Sequence, residues 1–307
     1  MFIVKKISVV VVLLIALVSQ AENSVRNDIE RFYDRSGSLP CKYTVYPLEN
    51  PSLKEITIGY PEELLKRSGK KYPLVIFCNG TLMPASGYRG FFLRLGSWGF
   101  IAVGSEEKYS GKGRGAIELL KFMQKLDSDK NSPFYQSIDW QNVGITGHSQ
   151  GGVAAFNAAT KFPESKIFKA IFTMSACRRK LAASFIIRAG YDLTKIKVPV
   201  MMTAASGRNG FDEWNRFLPG SGIAPMESLR ESREILRKNV SCVVIARLSD
   251  PQRNHAHTLN DSLPYLTAWF AYHLQNNQDA GRFFTGKDPE LPENPRWQDV
   301  SIDLNQQ

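Results

Sequence analysis

Runs of β-branched and aromatic residues without polar alternation recur along the chain at 74–78, 100–103, 143–146, 170–174, 198–203 and 242–246. Such runs mark strands covered on both faces. Between them apolar residues return at helical spacing. Ala116, Leu119, Leu120, Met123 and Leu126 form one stripe, and Leu263, Leu266, Phe270 and Leu274 another. Successive strand starts lie 26 to 44 residues apart, room each time for a crossover helix and a loop. The pattern predicts a mostly parallel central sheet with helices on both faces, an α/β fold. Segments 43–46 and 55–60 extend it as edge strands. With no repeat, Pro/Gly-rich linker or composition shift to divide the chain, one domain is expected.

The first residues follow a different logic. Lys5 and Lys6 precede an apolar run of 12 residues, 7–18, followed by Ser19-Gln20-Ala21. A basic start, a short hydrophobic segment and small residues at the cut describe a secretory signal. The run is shorter than the roughly 20 residues that span a bilayer. Residues 1–21 are thus expected to be a signal peptide and 22–307 the catalytic unit, secreted or periplasmic, with no stable membrane insertion. The first cysteine is Cys41, which excludes a lipid-anchored cysteine at the cut. Segment 281–307, with Pro289, Pro292, Pro295 and several aromatics, is expected to form an irregular C-terminal strap.

Composition adds boundaries. A 43% hydrophobic and 22% charged chain excludes disorder, and four cysteines are too few for a disulfide scaffold of this length. Lys plus Arg is 39 against 29 for Asp plus Glu, a formal +10. Loss of Lys5 and Lys6 with the leader would leave 37 against 29. The surplus is scattered, denser at 66–71 and at Arg178-Arg179-Lys180, and no nucleic-acid motif organises it.

The chemistry gathers where the 143–146 strand runs into Gly147-His148-Ser149-Gln150-Gly151-Gly152 and a helical segment. Gly-x-Ser-x-Gly between a buried strand and a helix is a nucleophile elbow. The serine occupies a strained turn that the flanking glycines leave room for, and the helix start directs N–H groups at developing negative charge. A Gly-rich tight turn without chemistry is the plainer alternative. With Val75-Ile76-Phe77-Cys78-Asn79-Gly80-Thr81, Trp98-Gly99-Phe100-Ile101-Ala102-Val103 and His255 followed by Thr267-Ala268-Trp269-Phe270, the sequence resembles the α/β-hydrolase fold. More narrowly it is similar to secreted serine esterases of the cutinase, polyester-hydrolase and dienelactone-hydrolase-like group.

That resemblance implies a Ser, acid, His order. Ser149 is the nucleophile. Of four histidines, His148 lies inside the elbow and His273 within the last amphipathic helix, which leaves His255, with His257 as the alternative. Asp212 is the candidate acid, with Glu213 and Asp250 alternatives; the path from the preceding strand is longer than the family's usual turn. The oxyanion hole falls to the amides of Gln150 and Thr81, and Tyr88 and Trp214 are candidate aromatic walls of the substrate pocket, whose rim is 177–195 and 208–225. No cofactor or metal is expected, since the histidines lack metal-ligand spacing. The expected activity is carboxylic ester hydrolysis through an acyl-enzyme, on a small-molecule or polymeric ester. The short rim fits a soluble or exposed ester better than bulk lipid. A peptidase or amidase, an acyltransferase, or a binding protein that keeps the fold are the alternatives.

Overall fold

The computed structural model describes residues 28–207, 211–213 and 222–305. Expectations about residues 1–21 and about Trp214 lie outside the described residues. The described chain forms a helix α1 (Asp28–Asp34), then strands β1 (Cys41–Pro47), β2 (Glu55–Pro61) and β3 (Tyr72–Cys78). Helix α2 (Arg89–Ser97), strand β4 (Ile101–Ser105), helix α3 (Arg114–Ser128) and strand β5 (Ile138–His148) follow. Next come helix α4 (Gln150–Ala158), strand β6 (Phe168–Met174), the short helix α5 (Arg179–Ala183), strand β7 (Val200–Ala204), helix α6 (Met226–Leu236) and strand β8 (Cys242–Leu248). The chain continues through α7 (His257–Asp261), α8 (Leu263–Gln275), α9 (Glu290–Glu293) and β9 (Trp297–Leu304).

Among the described residues these strands make one sheet in the order β1-β2-β4-β3-β5-β6-β7-β8-β9. Strands β3 to β8 run parallel to their neighbours, while β1, β2 and β9 pair antiparallel at the two margins. The parallel strands read as apolar runs because both faces are covered. Alternation along β3 shows the division. Leu74, Ile76 and Cys78 join the layer built with Leu119, Leu120 and Met123 of α3 and Val153 to Phe156 of α4. Val75 and Phe77 face Phe91, Phe92 and Leu95 of α2 and Trp269 and Phe270 of α8. Close approach of α8 needs a bare backbone in β5: a Cβ on Gly144 would lie 2.6 Å from the Phe270 ring.

Three findings go beyond the sequence or differ from it. Segment 281–307 is not an irregular strap, since β9 adds an antiparallel margin to β8, from Cys242↔Leu304 to Leu248↔Trp297. Its approach is fixed by Asn294, whose Nδ2 donates to Glu30 Oε2 at 2.8 Å and to Tyr265 Oη at 2.7 Å. Arg296 also pairs with Glu30 and with Asp261 at 2.9 Å, so the N-terminal helix, α8 and the C-terminal segment share one buried polar node. The four cysteines are all free thiols, three of them buried. Among the described residues no helix is long and apolar enough to cross a membrane.

Candidate active site

Strand β5 occupies the middle of the sheet and delivers Ser149 to its carboxyl edge. Ser149 has φ 58° and ψ −120°, a backbone region that disfavours side-chain-bearing residues and costs about 1–3 kcal/mol. The glycines are needed for space. A Cβ on Gly151 would fall onto the Cys78 carbonyl oxygen, and one on Gly147 onto the Gly151 backbone. The turn is fixed by Ser149 N–H donating to the Met174 carbonyl at 2.8 Å and Gly152 N–H donating to the Ser149 carbonyl at 3.0 Å. The side chain sits at the mouth of the fold, 9% exposed, with Oγ 3.9 Å from Cys177 Sγ. Burial pushes the Cys177 thiol up to about 12, so it stays a protonated neighbour and does not compete as a nucleophile.

Asp212, in the loop after β7, and His255, in the loop after β8, meet at the same edge. His255 Nδ1 donates to Asp212 Oδ1 at 2.5 Å, and Asp212 is fully buried. The other carboxylate oxygen accepts from Ser175 Oγ at 2.5 Å and from the Ala205 N–H at 2.8 Å. With Nδ1 committed to the carboxylate, the imidazole's Nε2 lone pair is left free to accept a proton. The His255 main chain is held as well: its carbonyl accepts from His148 Nε2 at 2.9 Å and lies 2.7 Å from Thr258 Oγ1. Thr258 Oγ1 is also 2.8 Å from Ser175 Oγ, so its one proton is shared between these two acceptors.

The carbonyl acts only as an acceptor, which fixes the His148 tautomer with its proton on Nε2. Burial, and then the neighbouring His255, lower His148 to about 4, so it is neutral at pH 7. The two imidazole rings lie 4.6 Å apart, which places the His255 loop directly over the elbow.

The rival candidates are engaged elsewhere. Glu213 pairs with Arg247 and accepts the Met226 N–H at 3.0 Å, a structural role between β8 and α6. Asp250 accepts the Gln252 N–H at 2.8 Å and caps its own turn. His257 opens α7, with Nδ1 on Asn254. His273 is half-buried against Trp269 and Tyr272 in α8, lowered to about 4 by desolvation. Among the described residues no group of three or more His, Cys, Asp or Glu could hold a metal.

Gln150 is the first residue of α4, directly after Ser149. Thr81 is exposed in the turn after β3. Asn79 anchors that turn, with Nδ2 donating to the Ser105 carbonyl at 2.5 Å and the Glu107 carbonyl at 2.9 Å. The turn lies against the elbow, since a Cβ on Gly80 would sit 3.3 Å from His148 Nδ1. Tyr88 is not an exposed wall of a pocket. It is 3% exposed, packed 4.6 Å from the Phe77 ring, with its hydroxyl facing Gly80 from below.

Sequence reasoning missed Ser175, Thr258 and Cys177, and read His148 only as lying inside the elbow. Only Thr258 carried a signal, three residues after His255 and so one turn along the same helix start. Ser175 and Cys177 lie 26 and 28 residues from Ser149 and reach the site by the parallel pairing of β5 with β6.

A mostly parallel sheet that carries a Ser elbow on its central strand, with further polar residues on the loops after β7 and β8, is the α/β-hydrolase fold. Residues 44–176 match the family model for chlorophyllase. A chlorophyllase type 0 from Chenopodium album is 28% identical over 141 residues, 38% of this chain. The match spans 37% of that relative's length. These similarities are to an α/β-hydrolase-type esterase and do not single out the cutinase or dienelactone-hydrolase subgroup. The family-model match covers the Thr81 turn and the elbow and stops short of Asp212 and His255.

Proposed function

We propose that the protein is a serine carboxylic ester hydrolase in which Ser149, His255 and Asp212 act together. The observation that carries this reading is the buried Asp212–His255 hydrogen bond at the edge where the elbow presents Ser149. Two loops 43 residues apart in sequence converge there, and the bond orients one imidazole nitrogen for proton transfer. In the reaction Ser149 Oγ attacks the ester carbonyl carbon while His255 Nε2 takes its proton. The oxyanion is met by the Gln150 amide at the start of α4 and by the Thr81 amide, each worth about 3 kcal/mol of barrier. His255 then protonates the departing alkoxide, water attacks the acyl-enzyme by the same route, and Ser149 is regenerated. Asp212 stabilises the imidazolium in both halves. No step needs a cofactor.

The chlorophyllase similarity adds a substrate to test, the ester of chlorophyll, beside simple acyl esters. The leader at 1–21 supports export as the setting. Labelling of the full chain by a fluorophosphonate probe, abolished in Ser149→Ala, is the direct test. Folded protein that neither labels nor hydrolyses any nitrophenyl ester from acetate to palmitate would overturn the proposal. Cleavage of a matched anilide at a rate comparable to the ester would turn it into an amidase.

A further inference from the structure

Ten large hydrophobic side chains are exposed among the described residues, and six of them sit on loops at the carboxyl edge of the parallel sheet. Leu82 and Met83 follow β3, Tyr109 follows β4, Phe185 and Ile186 follow β6, and Phe211 follows β7. Phe185 is 81% and Ile186 63% exposed, and as adjacent apolar tips they mark a patch where a single exposed residue would not. These loops are joined. Leu82 N–H donates to the Lys108 carbonyl at 2.9 Å, and Asn157 Nδ2 bridges the Gly111 and Ala189 carbonyls at 2.8 and 3.1 Å. The Arg178 N–H donates to the Ile223 carbonyl, whose own N–H reaches Phe211. Cys177, beside Ser149, leads into the Phe185 loop. The exposed side chains thus form a collar around the catalytic edge.

The charge on the collar segments after β3, β4 and β6 has one sign, while the Phe211 segment carries Asp212, buried in the site, and Glu213, paired with Arg247. Segments 81–90, 108–114 and 176–190 together contain eight Lys or Arg and no Asp or Glu. Of the acids near them, Glu231 pairs with Arg179 at 2.8 Å, Glu106 accepts from Ser86 and Glu107 is half-buried, which leaves Glu227 as an exposed acid beside Arg178 and Lys180. A mixed apolar and basic rim matches a surface with anionic headgroups over a hydrocarbon interior, whereas a soluble anion or nucleic acid would leave the apolar tips unsatisfied.

We infer that this collar docks the enzyme on an anionic lipid surface, so that the ester enters the site from the lipid phase. It departs from the expectation, drawn from the short rim, of a soluble or exposed ester. The inference rests on the ester-hydrolase reading only for what is cleaved; the docking itself does not depend on catalysis. The collar residues tested below lie outside the Ser149, His255 and Asp212 cluster.

The test is co-sedimentation of the full chain with vesicles rich in phosphatidylserine, against vesicles of phosphatidylcholine alone, with hydrolysis of soluble nitrophenyl acetate measured in parallel. Binding should favour the anionic vesicles and weaken as salt rises. Phe185→Ser with Ile186→Ser should lower partitioning about tenfold or more. Lys180→Gln with Arg188→Gln should lower it about fivefold per charge and flatten the salt dependence. Both double variants should keep the wild-type urea midpoint, so that lost partitioning reports the surface and not the fold. Equal binding to both vesicle types, no binding, or binding insensitive to Phe185→Ser and Ile186→Ser overturns the docking. So does equally tight binding to polyglutamate. Failure of the wild-type protein to hydrolyse nitrophenyl acetate would instead count against the esterase reading and leave the vesicle result standing.

Discussion

The hydrogen bonds around Asp212 make one substitution unusually informative. In Asp212→Asn the side-chain amide has an oxygen and an NH2 to place, and the site dictates which goes where. The inner position faces the Ala205 N–H at 2.8 Å and Ser175 Oγ at 2.5 Å. Ser175 can rotate its proton away, but a backbone N–H cannot become an acceptor, so the amide oxygen must lie inward. The NH2 then points at His255 Nδ1 across the 2.5 Å contact. Nδ1 is forced to accept, the ring proton moves to Nε2, and the nitrogen needed to take the Ser149 proton is blocked. The fold should be unharmed, since every inner hydrogen bond is kept. The barrier should rise by about 5 kcal/mol, a loss in kcat/KM of about 10^4. Steady-state hydrolysis of nitrophenyl acetate and the rate of fluorophosphonate labelling should fall together, and 15N NMR should show the His255 proton moved to Nε2. A folded Asp212→Asn protein within tenfold of wild type would refute the tautomer argument and the role of Asp212 with it.

Other outcomes follow from the same contacts. Gly151→Ala drives a methyl onto the Cys78 carbonyl and should destabilise the fold by at least about 3 kcal/mol in urea titrations, or prevent folding. His148→Phe keeps a ring and removes the donor to the His255 carbonyl, a bond worth about 1–1.5 kcal/mol, so kcat should fall about tenfold with KM unchanged. Burial lowers His273 to about 4, so between pH 6.5 and 4 the unfolded chain binds a proton that the fold refuses, and stability drops as pH falls. At pH 5 this amounts to about 2 kcal/mol. His273→Phe should therefore lose that much less stability between pH 8 and pH 5 than wild type. Glu107 and Glu290, raised to about 7 by burial, act in the opposite sense over the same range but equally in both proteins. An unchanged pH slope in urea midpoints would overturn the assignment.

Much of this was legible in the sequence, for physical reasons. Strands β3 to β8 declare themselves because burial on both faces demands continuous apolar runs, and the elbow declares itself because its turn tolerates only glycine two positions to either side of Ser149. Strand β9 did not, because its residues are only partly buried and follow a proline-rich approach; pairing with β8 is a long-range event that local pattern does not encode. The carboxylates could not be ranked by sequence for a related reason. Asp212, Glu213 and Asp250 are chemically equivalent in a string, and only the fold turns Glu213 toward Arg247 and Asp250 into its own turn. Ser175 reaches Asp212 through strand register, which no spacing rule predicts.

The strained backbone at Ser149 sets durability against turnover. With φ at 58°, the residue holds a conformation in which glycine would rest more easily. Ser149→Gly should accordingly be more resistant to heat than Ser149→Ala, which loses the hydroxyl but keeps the strain, by about 1–3 kcal/mol. Both are inert toward esters, so the gap between them reports the tension less the greater unfolded-state entropy of glycine. A lineage selected only for robustness would drift toward glycine at this position and fall silent, and screens for stabilised variants of this protein need an activity readout to avoid that outcome.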